Sequence, residues 1–171
     1  MCGICGVYNF GTGEPVDAAM LKRATDAMAH RGPDDDGFYL DGELGLGNRR
    51  LSIIDLPGGH QPLANEDESI WITFNGEIYN YRDLRPDLIA RGHKFRTNSD
   101  TETILHLYEE HDLGFLAYLR GMFAFAIWDR RKRQLLLVRD RLGVKPLLFK
   151  VDAGRIAFAS EMRTLRELLP R

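Results

Sequence analysis

Long apolar runs are absent from this chain of 171 residues, and none approaches the length needed to span a membrane as a helix. The first residues carry neither a basic stretch nor an apolar core of the kind that marks a secretory signal, so a cytoplasmic, reducing location is the expectation. Excess charge is missing too: a formal net charge of −2 gives no reason to expect nucleic acid or an anionic membrane as partner. Cysteine is scarce, with only Cys2 and Cys5, whose C-x-x-C spacing raises a redox or zinc reading. The surrounding residues Ile4, Val7, Tyr8 and Phe10 are β-prone, and on a strand residues three apart face opposite ways. No second C-x-x-C or His pair completes a zinc site, since His30, His60, His93, His106 and His111 are scattered. Cys5 therefore reads as a small core residue. Internal repeats, low-complexity tracts and linkers are also lacking.

What remains is an ordinary globular composition, 44% hydrophobic and 28% charged, in a length that suits one domain. Strands are expected at 2–10, 38–40, 43–48, 51–54, 70–74, 122–128, 134–139, 147–151 and 155–159. Helices are expected from Asp17 to about His30, at 81–91, at 100–111, briefly near 114–119, and from about Glu161. Pro86 removes a backbone donor inside the second helix, which predicts a kink or a late start. His30 to Gly37 and Pro57 to Pro62 read as loops, because Gly and Pro break both periodicities there. Arg130 to Arg133 reads as a solvated hairpin turn. Many strands with a few central helices make an α+β layered domain.

Four places carry chemical potential, each with a plain alternative. If Met1 is removed, Cys2 places a thiol and a free α-amine on one carbon, a nucleophile and a base in a single residue. Alone, Cys2 reads first as a buried strand residue, and the rest of the chain reverses that order. Asn75-Gly76-Glu77 is either a hairpin turn or a pair of oxyanion donors, an Asn amide and a Gly main-chain N–H. Arg50 is either a surface arginine or the fork that holds a carboxylate. Asp100 is either a helix cap or the partner of a substrate ammonium, and Ser99 and Asp100 are able to divide those roles. Free glutamine suits all of them at once: a carboxylate for Arg50, an ammonium for Asp100 and Glu77, and a side-chain amide for a thiol to attack.

The ordered segments Met1-Cys2-Gly3-Ile4, His30-Arg31-Gly32-Pro33-Asp34, Arg50-Leu51-Ser52-Ile53, Asn75-Gly76-Glu77-Ile78-Tyr79-Asn80 and Ser99-Asp100 resemble the class II glutamine amidotransferase domain. Gly121 to Ala126, Arg139 to Gly143 and Ser160-Glu161-Met162 narrow the likeness to the glutaminase domain of glutamine-hydrolysing asparagine synthetase. The resemblance implies an N-terminal nucleophile hydrolase fold, a four-layer αββα sandwich of two antiparallel sheets. It implies Cys2 as nucleophile, with Asn75 and Gly76 as oxyanion donors. Arg50 would hold the substrate carboxylate, Glu77 and Asp100 its ammonium, and main-chain groups near Ile53 would line the pocket. No metal or cofactor enters that chemistry. Synthetases of this kind use ATP and Mg in a second domain, announced by a Ser-Gly-Gly-x-Asp-Ser phosphate loop. No such loop occurs in residues 1–171, so the expectation is one glutaminase domain that makes ammonia for a synthetase domain or subunit. The glutaminase of another class II enzyme, such as those forming glucosamine phosphate or phosphoribosylamine, is the rival enzyme reading. A glutamine-binding or docking domain is the alternative if Met1 stays in place.

Overall fold

The computed structural model describes residues 1–52 and 58–169. Nine strands lie among them: β1 (Gly3–Tyr8), β2 (Asp35–Asp41), β3 (Leu44–Arg50), β4 (Leu63–Ala64), β5 (Ile70–Ile78), β6 (Gly121–Asp129), β7 (Gln134–Arg139), β8 (Leu148–Asp152) and β9 (Arg155–Ala159). Four α-helices accompany them: α1 (Ala18–Asp26), α2 (Tyr81–Ala90), α3 (Asp100–His111) and α4 (Met162–Leu168), with a 3₁₀ helix at Asp112–Ala117. One sheet has the order β2-β3-β1-β9-β8 and the other β4-β5-β6-β7, and every pairing is antiparallel.

Side-chain alternation on these strands builds three separate apolar cores, and three cores require four layers. On β1, Cys5 and Val7 face α1 and α4, packing with Leu21, Ala24, Met28 and Leu165. Ile4, on the opposite face, joins Leu44, Leu46 and Phe158 against Ala124, Ala126 and Trp128 of the second sheet. The outer face of that sheet, through Ile72, Phe74, Phe125 and Ile127, packs on Ile104, Leu105 and Tyr108 of α3 and Leu88 of α2. Helices, sheet, sheet and helices are therefore stacked in that order, the αββα arrangement expected.

Several boundaries differ from the sequence reading, each for a physical reason. Asn75-Gly76-Glu77 is not a hairpin turn. β5 runs on through it because β6 supplies a partner for each residue, Asn75 opposite Ala124, Gly76 opposite Phe123 and Glu77 opposite Met122. β2 starts at Asp35, inside the stretch read as loop, because β3 pairs with it as far as Arg50. The two-residue β4 was not foreseen. α2 starts at Tyr81 and carries Pro86 inside it, so the late start did not occur. Asp17 caps α1 as expected, its carboxylate accepting from Ala19 N at 2.9 Å, but the helix ends at Asp26 rather than near His30. The strand expected at 51–54 runs into residues outside the described ones.

Candidate active site

Strand alternation decides what faces the space between the sheets. On β5, Ile72, Phe74 and Ile78 belong to the helix-facing core, so Thr73, Asn75 and Glu77 look the other way. Thr73 is packed deep between the sheets: its hydroxyl donates to Gly47 O at 3.2 Å and accepts from Asn48 Nδ2 at 3.1 Å. Two residues on, where the sheets part, Asn75 and Glu77 line an open cleft together with Cys2, Arg50, Gly76 and Asp100. Six positions singled out in the sequence thus meet at one place. Ile53 lies outside the described residues.

The inner wall is a polar network centred on Gln61. Its Oε1 accepts from Asn48 Nδ2 at 3.2 Å and from Phe74 N at 2.6 Å, and its Nε2 donates to Thr101 Oγ1 at 3.5 Å. Asn75 is different. It is 1% exposed, and its Nδ2 has no hydrogen-bond partner among the described residues. A buried amide donor without an acceptor costs about 1–3 kcal/mol, which a protein keeps only where something else will accept from it. Gly76 is required for a separate reason: a Cβ there would lie 2.3 Å from Met122 O, so only glycine lets β5 and β6 approach.

Asp100 and Ser99 divide the two roles foreseen for them. Ser99 is the N-cap of α3 and its hydroxyl accepts from Glu102 N at 3.4 Å. Asp100, freed from capping, is 4% exposed, lines the cleft, and accepts from Ile78 N at 2.9 Å. Burial pushes its carboxyl up to about 6, with the Glu77 charge adding to the rise, while the N–H groups of Ile78, Asp100 and Thr101 restrain it. The folded protein then binds this proton more tightly than the unfolded chain, whose aspartates titrate near ~3.9. Stability must fall as pH rises between about 4 and 6, and the ionised group costs up to about 3 kcal/mol above that window. Asp100→Asn is therefore expected to melt a few degrees higher than the native protein at pH 7.5, with the gap closing by pH 4.5. Thermal melts across that range check this, and a gap that ignores pH would sink it.

Cys2 is partly buried, and its thiol donates to Leu51 O at 3.6 Å. The main chain around it is pinned by residues for which the sequence reading found no role. Arg31 Nε donates to Cys2 O at 3.0 Å, while Arg31 Nη1 reaches Glu161 Oε1 at 3.1 Å. Ser160 binds Ile4 through two bonds, accepting from Ile4 N on its hydroxyl at 3.0 Å and donating its own N–H to Ile4 O at 2.8 Å. Burial would raise Glu161, but hydrogen bonds from Arg31 and His30 outweigh it and hold the carboxyl low. Arg31 and Glu161 thus form a charged clamp on the start of β1. Gly32 lets this loop press on β3, since a Cβ would sit 2.3 Å from Arg49 C. Asp34 completes the contact, its N–H donating to Arg50 O at 3.1 Å and its carboxylate accepting from Ser52 N at 2.8 Å. Charged residues embedded beside Gly and Pro in a loop were the available signal.

Asp140 organises a third piece. Its carboxylate accepts from the N–H groups of Phe123, Leu142, Val144 and Lys145, which lower its pKa against the opposing effect of burial. The loop wrapped around it delivers Lys145 to the cleft, where Nζ donates to Met1 Sδ at 3.2 Å. Met1 itself lies at the cleft and its amine donates to Arg31 O at 3.2 Å.

Cys5 has the environment read for it: fully buried against α1, with its Sγ 3.5 Å from Thr25 Oγ1. Burial pushes its thiol up to about 12, against a small opposing effect of the Thr25 contact. A thiol held protonated in hydrocarbon is no nucleophile, so the two cysteines are chemically distinct.

Comparison with known proteins bears on the domain as a whole. The family model described as glutamine amidotransferase domain matches residues 1–170. The chain belongs to that family. It is 46% identical over 167 residues to asparagine synthetase [glutamine-hydrolyzing] 2 of Bacillus subtilis, covering 96% of this chain and 22% of that protein. A probable asparagine synthetase [glutamine-hydrolyzing] of Dictyostelium discoideum is 42% identical over 98% of this chain and 30% of its own length. The chain thus spans under a third of the length of these relatives. Among solved structures, the glutamine phosphoribosylpyrophosphate amidotransferase of B. subtilis superposes with a TM-score of 0.80 at 20% identity, covering 98% of this chain and 43% of the other. At that identity the likeness establishes the shared fold. No helix among the described residues is long and apolar enough to cross a membrane.

Proposed function

We propose that this amidotransferase domain hydrolyses glutamine to glutamate and ammonia through a thioester on Cys2. The observation that carries the reading is a buried amide donor without a partner among the described residues, Asn75 Nδ2, lining the same cleft as a thiol, an arginine and two carboxylates. With Met1 gone, the Cys2 α-amine takes the thiol proton and sulfur attacks the side-chain amide carbon. Negative charge then grows on the amide oxygen, and Asn75 Nδ2 and Gly76 N–H receive it. The amine returns the proton to the leaving nitrogen, the C–N bond breaks, and ammonia departs. Water adds to the thioester and releases glutamate, restoring the thiol. Arg50 grips the substrate carboxylate; Asp100 and Glu77 face its ammonium. The residues of this chain suffice, without metal or cofactor. Ammonia is the product a synthetase partner would consume, as the names of the relatives suggest.

The test is a glutaminase assay paired with intact mass before and after a glutamine-like electrophile. The expected result is ammonia from glutamine but not asparagine, a mass lacking Met1, and one adduct located on Cys2. An adduct on Cys5, or turnover with Met1 retained, would overturn the reading. The hold of Arg31 and Lys145 on Met1 favours a glutamine-binding role for an unprocessed chain, seen as binding without turnover.

Arg50→Ala is expected to raise KM for glutamine at least about tenfold with a smaller change in kcat, because a carboxylate far from the reacting carbon is gripped equally in ground and transition states. An unmoved KM removes Arg50 from the pocket. Because the ammonium favours ionised Asp100, KM in the native protein should fall as pH rises through about 6.

A further inference from the structure

The histidines that look scattered in sequence do not all stay apart. His93, in the loop after α2, and His106, within α3, have ring centroids 4.5 Å apart in the outer helical layer, on the far side of the second sheet from the space between the sheets. Glu66, from the turn between β4 and β5, and Glu109, one turn beyond His106, bring carboxylates to the same point. One ligand atom from each of the four lies within 4.8 Å of all the others.

The separations match a coordination polyhedron. His106 Nδ1 is 2.9 Å from Glu109 Oε2 and 3.7 Å from Glu66 Oε2. His93 Nδ1 is 3.6 Å from Glu109 Oε2 and 3.9 Å from Glu66 Oε1. A tetrahedral zinc ion with N and O ligands at ~2.0–2.1 Å sets its ligand atoms about 3.4 Å apart. These four separations bracket that spacing, and with the ligand atoms all within 4.8 Å of one another closure needs shifts of about an ångström or less. Both imidazoles direct Nδ1 inward, leaving Nε2 for an outer carboxylate. His93 Nε2 pairs with Glu110 Oε1 at 3.0 Å, and Glu110 is in turn held by Arg91 at 3.1 Å. His106 is fully buried; its Nε2 points to Glu102 at 3.8 Å and has no hydrogen-bond partner among the described residues. A carboxylate behind each imidazole is how protein metal sites fix ring orientation. Glu66, with a side chain 34% exposed, leaves an entry path.

We propose that Glu66, His93, His106 and Glu109 bind one divalent cation of the zinc class. Two imidazoles select against magnesium and calcium, which prefer all-oxygen shells. Two carboxylates balance the ion's charge. The site lies apart from the cleft and takes no part in amide hydrolysis; it ties together the β4–β5 turn, the loop after α2 and the helix whose first residue is Asp100.

The experiment uses the tag-free full chain in a Cys2→Ala background, so that the cleft thiol does not compete for metal. After chelation and desalting, calorimetric titration with Zn²⁺ is expected to show one saturable equivalent, with Mg²⁺ giving none and a melting temperature that climbs with zinc. Glu66→Gln, at the solvent rim, and His93→Gln, which keeps a polar side chain of similar size at a partly buried position, should weaken binding beyond the roughly 10–100-fold that loss of an outer partner costs. His111→Gln, outside the cluster, should leave it unchanged. No stoichiometric binding, binding indifferent to both ligand variants, or magnesium binding as tightly would each overturn the proposal.

Discussion

Cys2→Ala should lower glutamine hydrolysis by about 10⁴-fold or more while leaving the protein folded and able to bind glutamine. The size follows from what disappears, since no other thiol reaches the cleft. Cys5 lies in the helix-facing core, its proton held up to about 12, on the opposite face of β1 from the space between the sheets. The matched expectation is that Cys5→Ala keeps kcat within a few fold, at a modest cost in stability for a lost buried sulfur. Steady-state kinetics on both variants, with calorimetric glutamine binding to the first, make the comparison. Undiminished turnover in Cys2→Ala, or its collapse in a well-folded Cys5→Ala, would place the chemistry elsewhere.

Asn75→Ala is the second large effect. A single oxyanion donor is worth about 10²–10³ in kcat, because it acts only when charge has moved onto oxygen. KM should stay within about threefold, since the neutral amide of bound glutamine gains little from that donor. The stability side distinguishes function from scaffolding. Asn75 Nδ2 is buried and has no partner among the described residues, so its removal relieves a desolvation cost rather than breaking a bond. The variant should melt no lower than the native protein. A fall in kcat accompanied by a large loss of melting temperature would mean that Asn75 supports the sheet instead.

Much of the fold was legible because periodicity was strong: α3, β7 and β9 have the expected limits, and the layered α+β class followed from strand number. What misled was the part that depends on a distant partner. Asn75-Gly76 is a turn signal by local chemistry, and only β6, more than forty residues on, overrides it. Pro86 lies within α2 because its ring occupies one position of a helix otherwise packed through Leu84 and Leu88. The site was legible where substrate complementarity joined Cys2, Arg50, Asn75, Glu77 and Asp100. Arg31, Glu161, Asp140 and Gln61 were not, because they touch main chain or one another, and no substrate group announces them. His93 and His106 met through a loop whose path sequence does not specify.

The position of β1, between β3 and β9, has a consequence for biosynthesis. Cys2 stands immediately before β1, and one of that strand's two neighbours is β9, which follows every other described strand in sequence and sets Ala159 opposite Cys5. Until β9 and the Ser160-Glu161 pair behind it have been synthesised, their hold on Ile4 and Arg31 is missing, and an aminopeptidase would reach Met1 most easily.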